Sequence, residues 1–325
     1  MQAFLIPIQV KKLKSKNEAE CGEIMIGKNT GGYWKIKEQA KSWLIILPTV
    51  ALFAFFVWVP MGESIVMSLF KTKGVNLAKF VWFDQYLSVF RDPNFVSALK
   101  NTVAYTLWSI VIGFLIPIII AILIGETTRG RGLFRTASYL PNIMPGLATV
   151  LLWRSFFSAK SSGAFNVLIS YLGFDARPWL SNADIIIPLI VVIMTWKGAG
   201  ATALIYMAGI AGINPELYEA ATIDGAGIWR RTWNITIPQI FNLGSTLLIL
   251  QIIAVFQILY EPLVLTNGGP DNASISLMQL LFSYIQNAST IDYGKASSVS
   301  VIISLLLLTF TVIYNFVNKR KESFD

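Results

Sequence analysis

Apolar residues fall in long blocks separated by short clusters of charge. Six blocks stand out, residues 42–62, 101–125, 136–153, 185–215, 232–260 and 296–318. A helix needs about 20 apolar residues to cross the hydrocarbon core of a membrane. Five of the blocks hold no Asp, Glu, Lys or Arg, and the fourth holds only Lys197. Lipid offers no water to the backbone, so each block is expected to be helical. The third block is short and interrupted by Pro141 and Pro145. Such prolines are tolerable only where neighbouring helices or a wet cavity take up the freed carbonyls. The pattern predicts an all-α integral membrane protein with six transmembrane helices.

Charge predicts the orientation. Six crossings put both termini on one side. That side carries sixteen Lys and Arg residues: in the first 41 residues, in 126–135, at Arg230 and Arg231, and after residue 318. The three opposite loops carry eight. Positive loops stay in the cytoplasm, so the reading is N-in and C-in. Residues 1–42 become a cytoplasmic N-terminal extension, polar and expected to be mobile. Residues 43–318 become the six-helix domain, and 319–325 a cytoplasmic tail. The apolar stretch at residues 3–8 is too short for a signal peptide, and lysines follow it instead of preceding it. The outer loop 63–100 is expected to hold short helices on the bilayer surface, with Trp82, Phe83 and Tyr86 at the interface.

Composition narrows the chemistry. Of 325 residues, 54% are hydrophobic and 14% charged, against about 25% charged in soluble domains. The net charge of +8 is then a matter of membrane sidedness, with no nucleic-acid partner implied. There is no histidine and one cysteine, Cys21. A histidine-based triad, a histidine metal site and a disulfide within the chain are excluded. No G-x-x-x-x-G-K-[ST] sequence occurs, so a phosphate-cradling loop of that type is absent. Buried acids are scarce and leave no acid–base pair. The chain reads as a protein that is not itself an enzyme and binds no cofactor of its own.

The break between the fourth and fifth blocks is the most informative stretch. Asn214 suits an N-cap and Pro215 the first helical position. Glu216 and Glu219 fall in the first turns, where the helix dipole favours acids. Asp224 and Gly225 end this short helix. A second, aromatic helix is expected from about Ile228, joining the fifth block near Pro238. The product is a rigid helix-turn-helix knob on the cytoplasmic face.

Glu219-Ala220-Ala221, then Gly225, Ile235 and Ile237-Pro238 keep the spacing of the EAA loop of permease subunits in ATP-binding-cassette (ABC) importers. The one departure is Ile237 for leucine. Thr266-Asn267-Gly268-Gly269-Pro270 and Asp292-Tyr293-Gly294-Lys295-Ala296 resemble the carbohydrate-importer permeases related to the maltose transporter. The resemblance covers about residues 43–318. It implies the type I ABC importer permease fold in a bacterial plasma membrane, paired with a second, homologous permease subunit. It further implies two cytoplasmic ATPase subunits that hold ATP and Mg, an extracytoplasmic solute-binding protein, and a sugar as substrate. By this resemblance the loop at 214–238 couples to the ATPase. Glu219 would pair with a basic residue of an ATPase groove, and Gly225 would make the turn. Arg230 and Arg231 read either as anchors to lipid or ATPase or as ordinary cytoplasmic cations.

The same resemblance places sugar contacts on the spans flanking the loop. Thr195, Gly198, Ala199 and Thr202 share one helical face, and so do Gln251, Val255 and Ile258, with Gln257 beside them. Small residues there serve either the path or close helix packing. Lys197 lies near mid-membrane and Arg154 near the outer end of the third block, and neither has an acidic partner within a span by sequence position. They serve either an anionic solute or snorkel and bond backbone carbonyls. The alternatives for the whole chain are a permease for an acidic oligosaccharide, glycerol phosphate or an amino acid, and an ion-coupled carrier. The last would need carboxylates within the spans, where Glu261 stands alone.

Overall fold

Three of the helices change shape just before a proline. In the computed structural model, which describes residues 32–74, 76–286 and 291–322, three segments have π-helical geometry, Ala54–Trp58, Ser109–Phe114 and Thr232–Thr236. Each is followed within three residues by a proline: Pro60, Pro117 or Pro238. A proline has no N–H for the carbonyl four residues before it, and the helix widens to accommodate the loss.

The chain divides into two units between Gly62 and Glu63. The first contains a helix that begins at Gly32. Residues 32–41 are therefore helical. The remainder of the N-terminal extension, residues 1–31, lies outside the described residues. Trp43, Leu44, Phe55 and Phe56 are each more than half exposed, as suits a helix surrounded by lipid.

In the second unit the second span runs Pro93–Glu126 and the fourth Ile186–Ala211. Asp92 caps the second span by accepting from the Asn94 amide, with Pro93 at the first position. The two spans pack through Ile118, Ala121 and Ile124 against Ala203, Tyr206 and Met207. The last apolar block forms a helix Tyr293–Glu322, so the segment read as a tail is helical to Glu322. Residues 323–325 are outside the description.

Two blocks differ from the reading of six simple spans. Among the described residues, four single helices are long and apolar enough to cross a membrane, and a bent pair makes a fifth. The third block is split into Arg131–Ile143 and Gly146–Phe156. Met144, which precedes Pro145, is held extended at φ −66°, ψ 136°, because proline crowds a preceding helical residue. The first of these helices still packs tightly. At Gly200 a methyl group would collide with the Ser138 carbonyl, so the fourth span crosses it backbone to backbone.

The fifth block divides between the knob and the membrane. Its first part, up to Gln239, continues the knob's second arm, and the chain bends by 70° into Phe241–Phe256. The span thus ends four residues before Tyr260.

The outer loops are more ordered than their sequence suggests. Strands Phe70–Lys73 and Asn76–Phe80 pair antiparallel, and among the described residues of that loop Asp84–Phe90 is a short surface helix. Asn166, 1% exposed, donates to the carbonyls of Ser158, Lys160 and Arg177 and accepts from the Arg177 amide and the Trp179 indole. The loop around Gly268-Gly269-Pro270 is stapled to the second span: Asn101 donates to the Asn272 and Ile275 carbonyls, and Tyr105 to Ser274.

Candidate functional site

The knob is built by one capping motif at each end of its first helix. Asn214 accepts from the Glu216 amide at 3.1 Å and starts the helix Pro215–Ile223. At the other end Asp224 is the C-cap and Gly225 follows at φ +74°, a left-handed conformation that glycine adopts without steric cost. The Gly225 amide donates to Thr222 and the Ala226 amide to Ala221, at 3.1 and 2.8 Å. That pair of bonds is a Schellman closure. The second alanine of Glu219-Ala220-Ala221 therefore supplies the carbonyl that lets the chain reverse. The second arm runs from Ile228 through the π segment to Gln239, and Tyr218 bonds Thr236 across the two arms at 2.9 Å.

The outer surface of the knob is apolar for a water-facing element. Ile223 is 87% exposed, Trp229 76% and Trp233 67%. Glu219, Ala220, Gly225 and Pro238 are exposed with them. Ala221, Asp224 and Ile235 line a hollow of about 580 Å³ between the arms, together with Arg230, Arg231 and Asn234. The predicted coupling residues thus occupy one small body, in part around this hollow and in part on its outer face.

The second site is a cleft of about 320 Å³ between the second, fourth and fifth spans. It brings together Thr195, Gly198, Ala199, Thr202, Gln251 and Val255 from the sequence reading. A side chain added at Gly198 would meet nothing within 4 Å. Within this chain that glycine leaves open space on the cleft wall. Gln251 Nε2 donates to the Ser109 carbonyl at 2.7 Å and to its hydroxyl at 2.9 Å, fastening the fifth span to the start of the π segment in the second.

Three predicted residues lie off the cleft. Gln257 is exposed at the C-cap, and Ile258, 3% exposed, belongs to the core, because the helix that would have carried their face ends at Phe256. Lys197 points away: its Nζ would lie 3.2 Å from a Cβ built on Gly146, and Glu261 is near enough to feel its charge. Lys197 therefore has an acid nearby after all. Arg154, exposed, approaches the Val264 carbonyl at 3.5 Å.

Sequence reasoning missed the second span's share of the cleft, Ser109, Gly113 and Pro117. A Cβ on Gly113 would run into the Gln251 amide. The available signal was a glycine and a proline, Gly113 and Pro117, inside a run rich in isoleucine.

A family model described as "Binding-protein-dependent transport system inner membrane component" matches residues 113–323. The trehalose/maltose transport system permease protein MalF of Thermococcus litoralis is 31% identical over 284 residues, 86% of this chain and 94% of that protein. The diacetylchitobiose uptake system permease protein NgcF of Streptomyces coelicolor is 30% identical, over 83% of this chain and 80% of its own length. Among solved structures, a bacterial ABC transporter involved in the import of the acidic polysaccharide alginate has a chain that superposes with a TM-score of 0.77. That chain is 26% identical, and the match covers 89% of this chain and 98% of its own length.

Replacing Gln251 by Leu leaves the Ser109 carbonyl without this donor in an apolar cleft, a loss of about 1–3 kcal/mol. The melting temperature of purified Gln251→Leu in detergent is expected to fall below that of the wild type. An unchanged value would contradict the bridge between the spans.

Proposed function

The chain belongs to the family of binding-protein-dependent transport system inner membrane components, and on that footing we propose that it forms half of the path of an ATP-driven sugar or oligosaccharide importer. It is a transport subunit with the type I permease fold and a multi-pass protein of the bacterial plasma membrane. The observation that carries the proposal is the knob, a capped helix pair with Ile223, Trp229 and Trp233 exposed. Exposed aromatic residues on a rigid support suit a protein interface.

In this reading two cytoplasmic ATPase subunits hold ATP and Mg, and one receives the knob in a groove. Glu219 pairs with a basic residue there. Closure of the ATPase pair on ATP pulls the knob, and the permease halves turn from inward-facing to outward-facing. A second, homologous permease completes the path, and an extracytoplasmic binding protein delivers the solute. Support for a sugar comes from the names of the relatives and from the chemistry of the cleft. Thr195, Thr202 and Gln251 offer hydrogen bonds beside small and apolar neighbours, and none of the described residues lining the cleft is charged. That lining suits a neutral saccharide. An ion-coupled carrier would want a carboxylate on the path, and none lines this cleft among the described residues.

An acidic oligosaccharide is the second reading, favoured by the likeness to the alginate importer. Uptake of a neutral and a uronic-acid oligosaccharide by Lys197→Met separates the two. Because Lys197 lies off the cleft, equal effects on both sugars are expected. Selective loss of the uronic-acid sugar would favour the acidic substrate.

Gly225→Val places a β-branched residue at φ +74° and should break the Schellman turn, at a strain of roughly 1–2 kcal/mol. The expected outcome is ATP hydrolysis that no longer rises with loaded binding protein, and little uptake. Normal solute-stimulated turnover would count against the docking role.

A further inference from the structure

Glu126 is the last residue of the helix Leu115–Glu126, where a carboxylate meets the negative end of the helix dipole. Such a placement calls for a cation. Arg129, Arg131 and Arg135 follow closely in sequence, yet the partner is 105 positions away. Arg231 Nη2 donates to Glu126 Oε2 at 3.1 Å, and its Nη1 donates to Thr222 Oγ1 at 3.2 Å. Thr222 spends its own proton on the Tyr218 carbonyl at 2.7 Å, which leaves its oxygen to accept. One guanidinium thus joins the second span to both arms of the knob. This is the only salt bridge among the described residues.

What lies above Glu126 makes the bond more than an anchor. Gly113 and Pro117 are on the same span and line the cleft, and Ser109 holds Gln251. Thirteen residues separate Gly113 from Glu126, about 20 Å along a helix at ~1.5 Å per residue. A pull on the knob reaches the lower end of the second span directly through this pair. The fourth and fifth spans are reached through the chain itself, at Asn214 and at the bend after Gln239. The second span has no such covalent link to the knob.

We propose that Arg231 is a positioning residue of the transport cycle: its bond to Glu126 carries the displacement of the knob to the second span and so to one wall of the cleft. This rests on the importer reading above. Arg231 and Glu126 are 22% and 40% exposed, and partly exposed ion pairs add little to stability. Loss of the pair should therefore spare assembly and strike coupling.

The test uses the whole complex, permeases with ATPase and binding protein, in proteoliposomes. A Cys21→Ser background carries Thr202→Cys as a reporter in the cleft. Its reaction with an impermeant maleimide is measured in the resting state and after trapping with ATP, Mg and vanadate. With Glu126 and Arg231 intact the rate should change several-fold on trapping. In Glu126→Gln and Arg231→Gln that change should shrink to less than twofold while ATP hydrolysis persists. The double variant Glu126→Arg with Arg231→Glu should restore most of it. If Arg231→Gln does not assemble, Glu126→Gln decides, since it leaves the Thr222 bond in place. A full change in the single variants, or a swap no better than they are, would overturn the proposal. No change on trapping with the pair intact would instead sink the importer reading beneath it.

Discussion

A carbonyl freed inside a membrane has no water to turn to, and that constraint shapes this molecule. Prolines 60, 117 and 238 each remove a donor from an apolar helix, and each is preceded by a π segment. Gln251 donates to the Ser109 carbonyl at the start of one of them, and this bond ties the fifth span to the second. Where the helix cannot be mended it bends, as at the 70° turn after Gln239. That bend turns the fifth span into the arm of the knob.

Much of this was legible before any coordinates. The knob was readable down to its caps, because Asn214, Pro215 and Gly225 act through local backbone chemistry that does not depend on what surrounds them. The faces of the fourth and fifth spans were readable from helical periodicity, and six of the chosen residues share one cleft. Periodicity fails where the helix is not α. The resemblance directed attention to the spans flanking the loop, which left Ser109 and Gly113 of the second span unread, and the end of the fifth helix at Phe256 removed Gln257 and Ile258 from the face assigned to them. Contacts between residues distant in the chain were also out of reach. Glu261 near Lys197 and Arg231 on Glu126 are placed by packing that no spacing rule encodes.

The two sites ask different things of the same scaffold. The cleft is uncharged and keeps room at Gly198, so a solute with many hydroxyls can exchange one weak hydrogen bond for another. The knob is stiff, with both ends of its first helix capped and its arms joined by Tyr218 and Thr236. Under the proposed coupling role a flexible knob would absorb the movement passed to it. Of the cations that first suggested an anionic cargo, Arg154 approaches the Val264 carbonyl, and Lys197 is not among the residues lining the cleft.

The claim on which this account turns is that the face around Ile223 and Trp229 meets a nucleotide-driven partner in the cytoplasm. A photo-crosslinking amino acid at Ile223, 87% exposed, tests it in living cells. The captured chain, identified by mass spectrometry, should carry a G-x-x-x-x-G-K-[ST] sequence. Capture only of lipid, or reaction of that position with an impermeant reagent added outside the cell, would contradict it.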